Sequence, residues 1–451
     1  MSEQLTIQAF SSIEPLKQPF RTIHYLGSKL RVLDEIKKIV DEIDIEKSSG
    51  ICDIFAGSGA ISQFFAPERK IVAVDIQYYS FVILNVLLKP SGFHSSFEKE
   101  NVLENLLNYK KIISPLIEFE NELINGKLSS DLELVCNFLE NSSLYAALNE
   151  NINDCSSLLQ TAFKNCIENI NQSKESFFLA TKYFGGVYFS YDQAVTIDAL
   201  LTEIRNIDGE YRYLYLAALL STASDIVNTV GKQFAQPIRP RNKNGKPKSG
   251  ILKQLRKDRN LDVRGIYQEW LNKYASISKY NIQHKVWRMD YREALLKLDD
   301  DVNIIYADPP YTRDHYSRFY HALETLSLMD FPTISTTNIG GVRKLSRGLY
   351  REEREQSDFC IKSKAPKAFE ELFKIISEKN KILLLSYSPY DKDKNSHPRV
   401  VELDFLANLA KKYFKNVEIK SLGKFSHNKL NKVELHLHAE NFAEVLIICK
   451  N

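Results

Sequence analysis

The sequence has little net charge, no paired cysteine motif and no long apolar run. Sixty Lys and Arg residues oppose 57 Asp and Glu residues, so the formal net charge is only +3. Because so balanced a surface attracts no polyanion as a whole, a nucleic-acid partner must meet a local basic patch. The six cysteines are scattered, without a C-x-x-C pair or a histidine at metal-ligand spacing. This pattern predicts reduced thiols in a cytoplasmic protein and no metal site.

A membrane-spanning segment is also missing from the sequence pattern. The most apolar window, IVAVDIQYYSFVILNVLL, is interrupted by Asp75, Gln77 and Asn85. The N-terminal stretch MSEQLTIQAFSSIEPLKQPF lacks a basic region followed by an apolar core, so it predicts no secretion signal. We therefore expect no membrane partner. A chain of 451 residues fits about two or three domains and is long enough to bury a catalytic cleft.

The first hundred residues contain a strand, glycine loop, helix and strand in that order. KLRVLDEIKKIVDEI (29–43) places Leu33, Ile36 and Val40 on one helical face. GICDIFAG (50–57) then predicts a buried strand that ends in glycines, AISQFFA a helix, and KIVAVD (70–75) a second strand. Such a βαβ unit predicts an α/β fold with a parallel sheet covered on both faces.

The strand pattern then stops for about two hundred residues, far longer than an ordinary connection. Residues 95–283 are therefore predicted to form a mostly helical inserted domain, with 20–94 and 284–451 forming the main domain. Strand-like runs return at 284–290, 303–307, 381–387, 415–422 and 443–450. The polar segment between the last two predicts an antiparallel hairpin with a long tip.

The glycine loop and the acid that follows the second strand predict a nucleoside site. Gly57 and Gly59 stand at a strand-to-helix turn, where a ligand can approach the backbone. Such a turn can also be purely structural, and the dinucleotide spacing G-x-G-x-x-G is not met, because Ser62 replaces the third glycine. Asp75 ends the second strand, where an acid can hydrogen-bond both hydroxyls of a ribose. Together these residues favour a nucleoside ligand without a pyrophosphate.

The stretch YADPPYTRDHYSRFYHALETL (306–326) carries the most specific chemistry. Its two prolines make Asp308 and the residues after it a stiff loop at a strand end. An adenine amino nitrogen is a poor nucleophile, because its lone pair is delocalised, so methylating it calls for acceptors that hold its N–H groups. Asp308 and the Pro309 carbonyl supply two such acceptors, and Tyr311 can stack on the purine. Asp290 either accepts from an adenine amine or caps the following helix.

In this order HYLGSK, DIFAGSG, VAVD, MDYREAL and DPPY resemble the S-adenosylmethionine-dependent, adenine-specific DNA N6-methyltransferases in their alpha arrangement. The resemblance implies a Rossmann-like methyltransferase domain, a helical target-recognition domain before DPPY, and a flipped-out adenine of double-stranded DNA as substrate. By position it implies cofactor contacts from Tyr25, Gly27, Lys29, Asp53, Phe55, Gly57, Gly59, Asp75, Asp290 and Tyr291, and a catalytic loop of Asp308, Pro309, Pro310 and Tyr311. Ser28 departs from the pattern, since many relatives have a second glycine there.

Two basic segments are candidates for contacts with DNA. IRPRNKNGKPKSGILKQLRKDR (238–259) holds nine Lys or Arg and one acid, so it is either a solvated face or a phosphate-binding surface. The predicted phosphate contacts are Arg239, Arg241, Lys243, Lys246 and Lys248, with Arg313, His315 and Arg318 beside the catalytic loop. GGVRKLSRGLYREEREQSDF (340–359) interleaves acids with bases, which predicts a partly helical flap over DNA or the flipped base.

Alternative functions share some of these features. An RNA adenine N6-methyltransferase would use the same catalytic loop, and a non-catalytic nucleic-acid-binding protein would keep the basic segment but bind no cofactor. A built-in nuclease is disfavoured, because no convincing cluster of carboxylates and Lys stands outside the methyltransferase motifs. A restriction endonuclease or another defence-system partner would then be encoded separately.

Overall fold

The computed structural model describes residues 19–150, 155–174, 177–312, 315–388, 399–422 and 444–451. Arg313 and the tip of the predicted C-terminal hairpin lie outside these residues. The strands are β1 (Gly50–Asp53), β2 (Ile71–Asp75), β3 (Lys285–Arg288), β4 (Val302–Ala307), β5 (Thr336–Ile339), β6 (Val342–Leu345), β7 (Ile382–Tyr387), β8 (Asn416–Ser421) and β9 (Val445–Lys450).

In the described part of the chain, seven strands form one sheet in the order β3-β2-β1-β4-β7-β9-β8. The first five are mutually parallel, whereas β9 runs antiparallel to both β7 and β8. Alternate strand residues enter different cores: Ile51 and Ile304 face one side, and Cys52 and Ile305 face the other. The parallel sheet with two covered faces, predicted from the βαβ pattern, is confirmed.

Helices cover both faces of this sheet. One face packs against α1 (Leu33–Ile43), α2 (Ala60–Phe65) and α3 (Tyr78–Leu88). The other face packs against α13 (Tyr291–Leu296), α16 (Ala365–Glu378) and α17 (Leu403–Ala410), and the short α14 (Tyr316–Phe319) and α15 (His321–Leu328) follow the catalytic loop. Helix α1 forms because Leu33, Ile36 and Val40 make one buried stripe.

The long segment between β2 and β3 is helical, as predicted. Its helices are α4 (Lys99–Ile124), α5 (Leu132–Asn141), α6 (Leu144–Asn149), α7 (Ser157–Gln172), α8 (Leu179–Phe184), α9 (Tyr191–Ile204), α10 (Tyr211–Ile226), α11 (Ile251–Arg259) and α12 (Val263–Ala275). Helix α10 packs on α3, and the buried residues of both belong to one apolar cluster. The helical segment therefore shares a core with one face of the sheet. Its division from the main domain at 95 and 283 stays a prediction.

The prediction of a helix around Glu352, Glu353 and Glu355 is wrong, and the only helical residues described within 340–359 are the first two of a 3-10 helix that begins at Asp358. Strands β5 and β6 form an antiparallel hairpin, and Glu352 and Glu353 follow it in irregular chain. Gly340 and Gly341 connect the strands with φ values of 59° and 84°. Two consecutive glycines with positive φ form the tight turn that matches the twist of paired strands. This turn prevails over the helical spacing of the charges.

A buried ion pair holds the helical segment together and leads to a stability prediction. Arg259 of α11 pairs with Glu120 of α4, and their side chains are 1% and 4% exposed. Replacing Glu120 with alanine leaves a buried guanidinium without its carboxylate, which typically costs about 3–5 kcal/mol. We expect Glu120→Ala to lower the free energy of unfolding by that amount in urea denaturation. Glu118→Ala, at an exposed position of the same helix, should change it by less than about 0.5 kcal/mol. Similar losses in both variants would contradict the prediction.

Candidate active site

A cleft opens at the carboxyl edge of the sheet, where β1 and β4 are neighbours. Strand β2 lies on one side of β1 and β4 on the other, so the connections leaving these strands diverge and create a crevice. The cleft encloses about 1060 Å³ of space, part of it open to solvent. Predicted site residues that line it are Tyr25, Phe55, Asp75, Asp290, Tyr291, Asp308, Pro310 and His315. The structure thus brings both flanking segments of the chain to one cleft.

The glycine loop is shaped to hold Tyr25 against it. Gly57 has φ of +53°, and a Cβ atom built there would lie 2.5 Å from the Tyr25 hydroxyl oxygen. The Tyr25 ring stacks on Tyr320 with centroids 5.0 Å apart, so it cannot easily move away. The loop is tied down by Ser80, whose Oγ donates to the Gly57 carbonyl at 2.6 Å. Glycine is therefore required at position 57 by both backbone conformation and space.

Asp75 and Asp53 are buried carboxylates with different surroundings. Asp75 accepts hydrogen bonds of 2.9 Å from the backbone N–H groups of Gly57 and Gln77, which ties the glycine loop to the end of β2. Burial raises the pKa of Asp75, although those hydrogen bonds oppose the shift. Asp53 accepts from Ser62 Oγ at 2.7 Å, and burial raises its pKa to about 7. Asp75 borders the cleft, whereas Asp53 lies 2% exposed at the end of β1.

An aromatic wall closes one side of the cleft. The Phe55 ring lies 5.6 Å from Tyr291 and 5.4 Å from Phe359, and all three line the cleft. Sequence reasoning missed Phe359, although it stands at the end of the segment interpreted as a flap. Asp290 accepts from the Arg292 backbone N–H at 2.9 Å, so it caps α13 and borders the cleft at the same time. Both interpretations of Asp290 are therefore compatible with its position.

Three charges meet behind the catalytic loop. The Lys29 ammonium lies 2.6 Å from an oxygen of Asp308 and 2.7 Å from Glu444, and its side chain is only 4% exposed. Burial alone would lower the Lys29 pKa, but the carboxylates of Asp308 and Glu444 raise it well above its ordinary value. Burial raises the pKa of Asp308 to about 6, with Lys29 opposing the shift. Lys29, predicted as a cofactor contact, thus contacts Asp308 of the catalytic loop. The sequence analysis did not identify Glu444.

The remaining residues of the catalytic loop differ in their relation to the cleft. Pro309 is buried, and Pro310 borders the cleft. The Tyr311 ring packs 5.1 Å from Tyr387 and 4.9 Å from the Arg399 guanidinium. Burial raises the pKa of Tyr311 to about 12. Stacking of Tyr311 on a purine therefore stays a prediction, while the rings of Tyr25 and Tyr316 border the cleft directly.

A comparison with models of known protein families identifies the family of the chain that forms this cleft. The model of the D12 class N6 adenine-specific DNA methyltransferases matches residues 25–121 and 138–387, well over half of the chain. The chain belongs to this family. The match includes the glycine loop, the acids Asp53 and Asp75 that end β1 and β2, and the catalytic loop. It confirms the Rossmann-like methyltransferase fold inferred from the ordered motifs.

Several relatives of this D12-class chain are similar over most of its length. It is 22% identical to the type II methyltransferase M.FokI of Planomicrobium okeanokoites, over 81% of this chain and 44% of the relative. It is 23% identical to the modification methylase LlaI of Lactococcus lactis subsp. lactis, over 95% of this chain and 55% of the relative. It is 22% identical to the type II methyltransferase M.NlaIII of Neisseria lactamica, over 78% of this chain and 80% of the relative. The chain spans about half the length of the first two relatives.

The predicted DNA contacts of the D12-class chain differ in their surroundings. Arg241 is already paired, with Glu133 at 2.7 Å and Glu140 at 3.0 Å. The side chains of Arg239, Lys243, Lys246 and Lys248 are exposed, and none of these five residues lines the cleft. His315 borders the cleft, Arg318 follows it in α14, and Arg313 lies outside the described residues.

Other features of the described residues bear on the sequence-based expectations. All six cysteines are buried and none forms a disulfide. No group of three or more His, Cys, Asp or Glu side chains within the described ranges could hold a metal ion. The described helices include none that combines the length and the apolarity needed to cross a bilayer.

Gly57 offers a test of how tightly the loop and Tyr25 are packed. Gly57→Ala combines an unfavourable positive φ with overpacking, so we expect it to lower the free energy of unfolding by about 2–4 kcal/mol. Gly209 has a similar φ of +64°, but a Cβ there would meet nothing within 4 Å. Gly209→Ala therefore isolates the backbone cost and should lose only about 1 kcal/mol. If both variants lose the same free energy of unfolding in urea denaturation, Tyr25 moves aside without measurable cost and the prediction of tight packing is wrong.

Proposed function

We propose that this chain is a site-specific DNA adenine N6-methyltransferase, which transfers the methyl group of S-adenosyl-L-methionine to a flipped-out adenine in double-stranded DNA. One observation carries the proposal: Asp308 and Asp75 border the same cleft, at the ends of the two parallel strands that flank β1. An acceptor for an amino group thus stands beside a site suited to a nucleoside. Family membership and the names of the relatives support the same reaction.

The residues of the cleft fit S-adenosyl-L-methionine. Asp75 suits the ribose hydroxyls, and the wall of Phe55, Tyr291 and Phe359 suits the adenine ring. Gly57 has no side chain, so the backbone of the loop can lie directly against Tyr25. Ser317 lines the cleft, and its buried hydroxyl has no hydrogen-bond partner among the described residues, so a ligand can satisfy it. When bound, the cofactor supplies an electrophilic methyl group on a sulfonium centre.

The chain itself contributes alignment and hydrogen bonds to the transfer. The Asp308 carboxylate accepts from one N–H of the target amino group and the Pro309 carbonyl from the other, which directs the nitrogen lone pair at the methyl group. The wall of the cleft excludes water, and no covalent enzyme intermediate is needed. Asp308 must be ionised to accept, so transfer weakens as the pH falls through about 6, the pKa to which burial raises this carboxyl. The amino nitrogen turns acidic once methylated, so His315 is not required as a base.

A group of arginines beside the cleft supports the DNA substrate. The Arg354 guanidinium lies 5.3 Å from the Tyr350 ring centroid, and Arg318 and Arg347 act electrostatically on the same tyrosine. Within the described residues no carboxylate forms an ion pair with any of these three arginines. Burial, and then the neighbouring Arg318, lowers the pKa of Arg354. Phosphates of the DNA backbone would neutralise this positive charge.

The cellular setting is also part of the proposal. The relatives are named type II methyltransferases and modification methylases. We therefore infer a role in restriction-modification, with a separately encoded restriction endonuclease as partner. All six cysteines are buried and none forms a disulfide, which supports action in the reducing cytoplasm.

The purified chain should methylate genomic DNA with labelled cofactor, and long-read mapping should place the modified adenines within one recurring sequence. RNA of matched sequence should not be labelled. Absence of methylated adenine under conditions in which the cofactor binds would overturn the proposal.

Two isosteric variants should separate chemistry from cofactor binding. Asp308→Asn loses a carboxylate acceptor at the target nitrogen, so we expect methyl transfer to fall at least about 100-fold. Its dissociation constant for the cofactor should remain within about twofold of wild type. Asp75→Asn loses a ribose acceptor and should instead weaken cofactor binding by about 1–2 kcal/mol in calorimetric titration. If both variants lose the same property, the division of roles is wrong.

The arginine group leads to a prediction about salt dependence. Arg318→Ala and Arg354→Ala should each weaken DNA binding on unrelated sequences and reduce the slope of log affinity against log salt by about 1. Arg241→Ala is the matched control, because Glu133 and Glu140 already neutralise that side chain. Its salt slope should stay near that of the wild type. Unchanged slopes for Arg318→Ala and Arg354→Ala in fluorescence anisotropy would remove these arginines from the interface.

A further inference from the structure

We infer that Glu444 is a positioning residue for methyl transfer, which holds Lys29 against the catalytic loop while keeping Lys29 from neutralising the Asp308 carboxylate. This inference rests on the proposed function. It concerns a residue outside the part of the chain that the family model matches, which ends at 387. No sequence motif therefore pointed to Glu444.

The contacts of Lys29 leave its ammonium fully occupied. Nζ lies 2.6 Å from Asp308 Oδ2, 2.7 Å from Glu444 Oε1 and 3.1 Å from the Gly27 carbonyl oxygen. An ammonium has three N–H donors, and these three acceptors match that number. Lys29 therefore has no donor left for a substrate, and its influence on the reaction passes through Asp308.

The sheet topology explains how a residue near the C-terminus reaches the catalytic edge. Strand β9 is antiparallel to β7, so it begins where the parallel strands end. Glu444 immediately precedes β9 and is 4% exposed. Ser386 of β7 donates to Glu444 Oε1 at 2.6 Å, and the Glu444 carbonyl accepts from the Leu422 backbone N–H at 3.0 Å. Glu444 is thus anchored by two neighbouring strands and holds a fixed position beside Lys29.

The charge balance of this cluster suits the reaction. Two carboxylates and one ammonium leave one excess negative charge. During transfer the amino nitrogen bonds to the methyl carbon, the electron pair of the broken carbon–sulfur bond stays on sulfur, and positive charge passes to the nitrogen. One N–H proton then leaves to Asp308 or water. In a buried site a net negative cluster stabilises that developing charge, whereas an isolated Lys–Asp pair is neutral.

The ionisation of Asp308 gives this inference a distinctive readout. Burial raises its pKa to about 6, Lys29 opposes the shift and Glu444 adds to it. Other titratable groups that interact electrostatically with Asp308 are Asp53, Tyr306, Tyr311 and Tyr316. Removing the Glu444 charge removes a contribution that raises the pKa of Asp308. The acid limb of the rate profile should therefore move to lower pH, even though the reaction becomes slower.

The test is single-turnover methylation of duplex DNA by the full chain, measured over about pH 5–8 for wild type and variants. Glu444→Gln should lower the plateau rate by about 10- to 100-fold, as expected when a catalytic group is slightly misplaced. Its acid limb should move down by about one pH unit, and its cofactor dissociation constant should stay within about twofold. Glu444→Asp, which keeps the charge, should retain the wild-type acid limb. Glu418→Gln, on the exposed side of β8, is the control and should match the wild type throughout.

An unchanged acid limb in Glu444→Gln would overturn the inference, as would a parallel loss of cofactor affinity and activity at every pH. A wild-type chain that binds cofactor but methylates no adenine would instead refute the proposed function. Should Glu444→Gln not fold, a double variant that also carries Lys29→Gln removes the ion pair as a unit and is expected to be better tolerated. If Glu444 acts through Lys29, the double variant should be no slower than Lys29→Gln alone. Multiplied losses would contradict the inference.

Discussion

A lysine buried to this extent is costly unless carboxylates surround it, and Lys29 satisfies this requirement by joining three distant segments of chain. Its own segment precedes α1, Asp308 follows β4, and Glu444 precedes β9. Lys29 begins the short 3-10 helix Lys29–Arg31, and Asp308 and Glu444 lie just outside their strands, so ladder hydrogen bonds alone do not set their mutual positions. The ammonium does so, and it holds the Asp308 carboxylate in the lining of the cleft. The Lys29 ammonium therefore fixes the relative positions of these segments and also contributes to the electrostatics of the site.

The sheet makes this meeting possible. Parallel strands gather the Asp53, Asp75 and Asp308 ends of β1, β2 and β4 at one edge, so three acids from different parts of the chain approach one another. The antiparallel β9 is the exception that adds a residue from its amino end. A parallel β9 would have carried Glu444 to the opposite edge of the sheet. The antiparallel direction of β9 therefore determines that Glu444 lies at the edge of the sheet where Lys29 and Asp308 meet.

Much of the fold and about half of the arrangement at the site follow from local patterns. The apolar runs around Ile51 and Ile304 predicted buried strands, and the resemblance carried by the ordered motifs implied that Asp75 and Asp308 serve one site. Glu444 was not predictable, because the predicted hairpin did not indicate which of its two strands pairs with β7, or that Lys29 lies opposite. Glu352 and Glu353 were misread for a related reason. Their helical spacing is a weak preference, and the Gly340–Gly341 turn with its paired strands prevails over it.

The shared core of α3 and α10 connects the helical segment to the β2 side of the cleft. Helix α3 starts three residues after Asp75, and α10 packs directly against it. The helical segment therefore packs directly on the element that follows the β2 carboxyl edge. Glu324 of α15 strengthens this connection, because its carboxylate accepts from the backbone N–H groups of Tyr78 and Tyr79 at 2.9 Å. Since α15 follows the catalytic loop, the first turn of α3 is bonded to both halves of the cleft. The helical segment and both halves of the cleft are therefore joined through buried contacts.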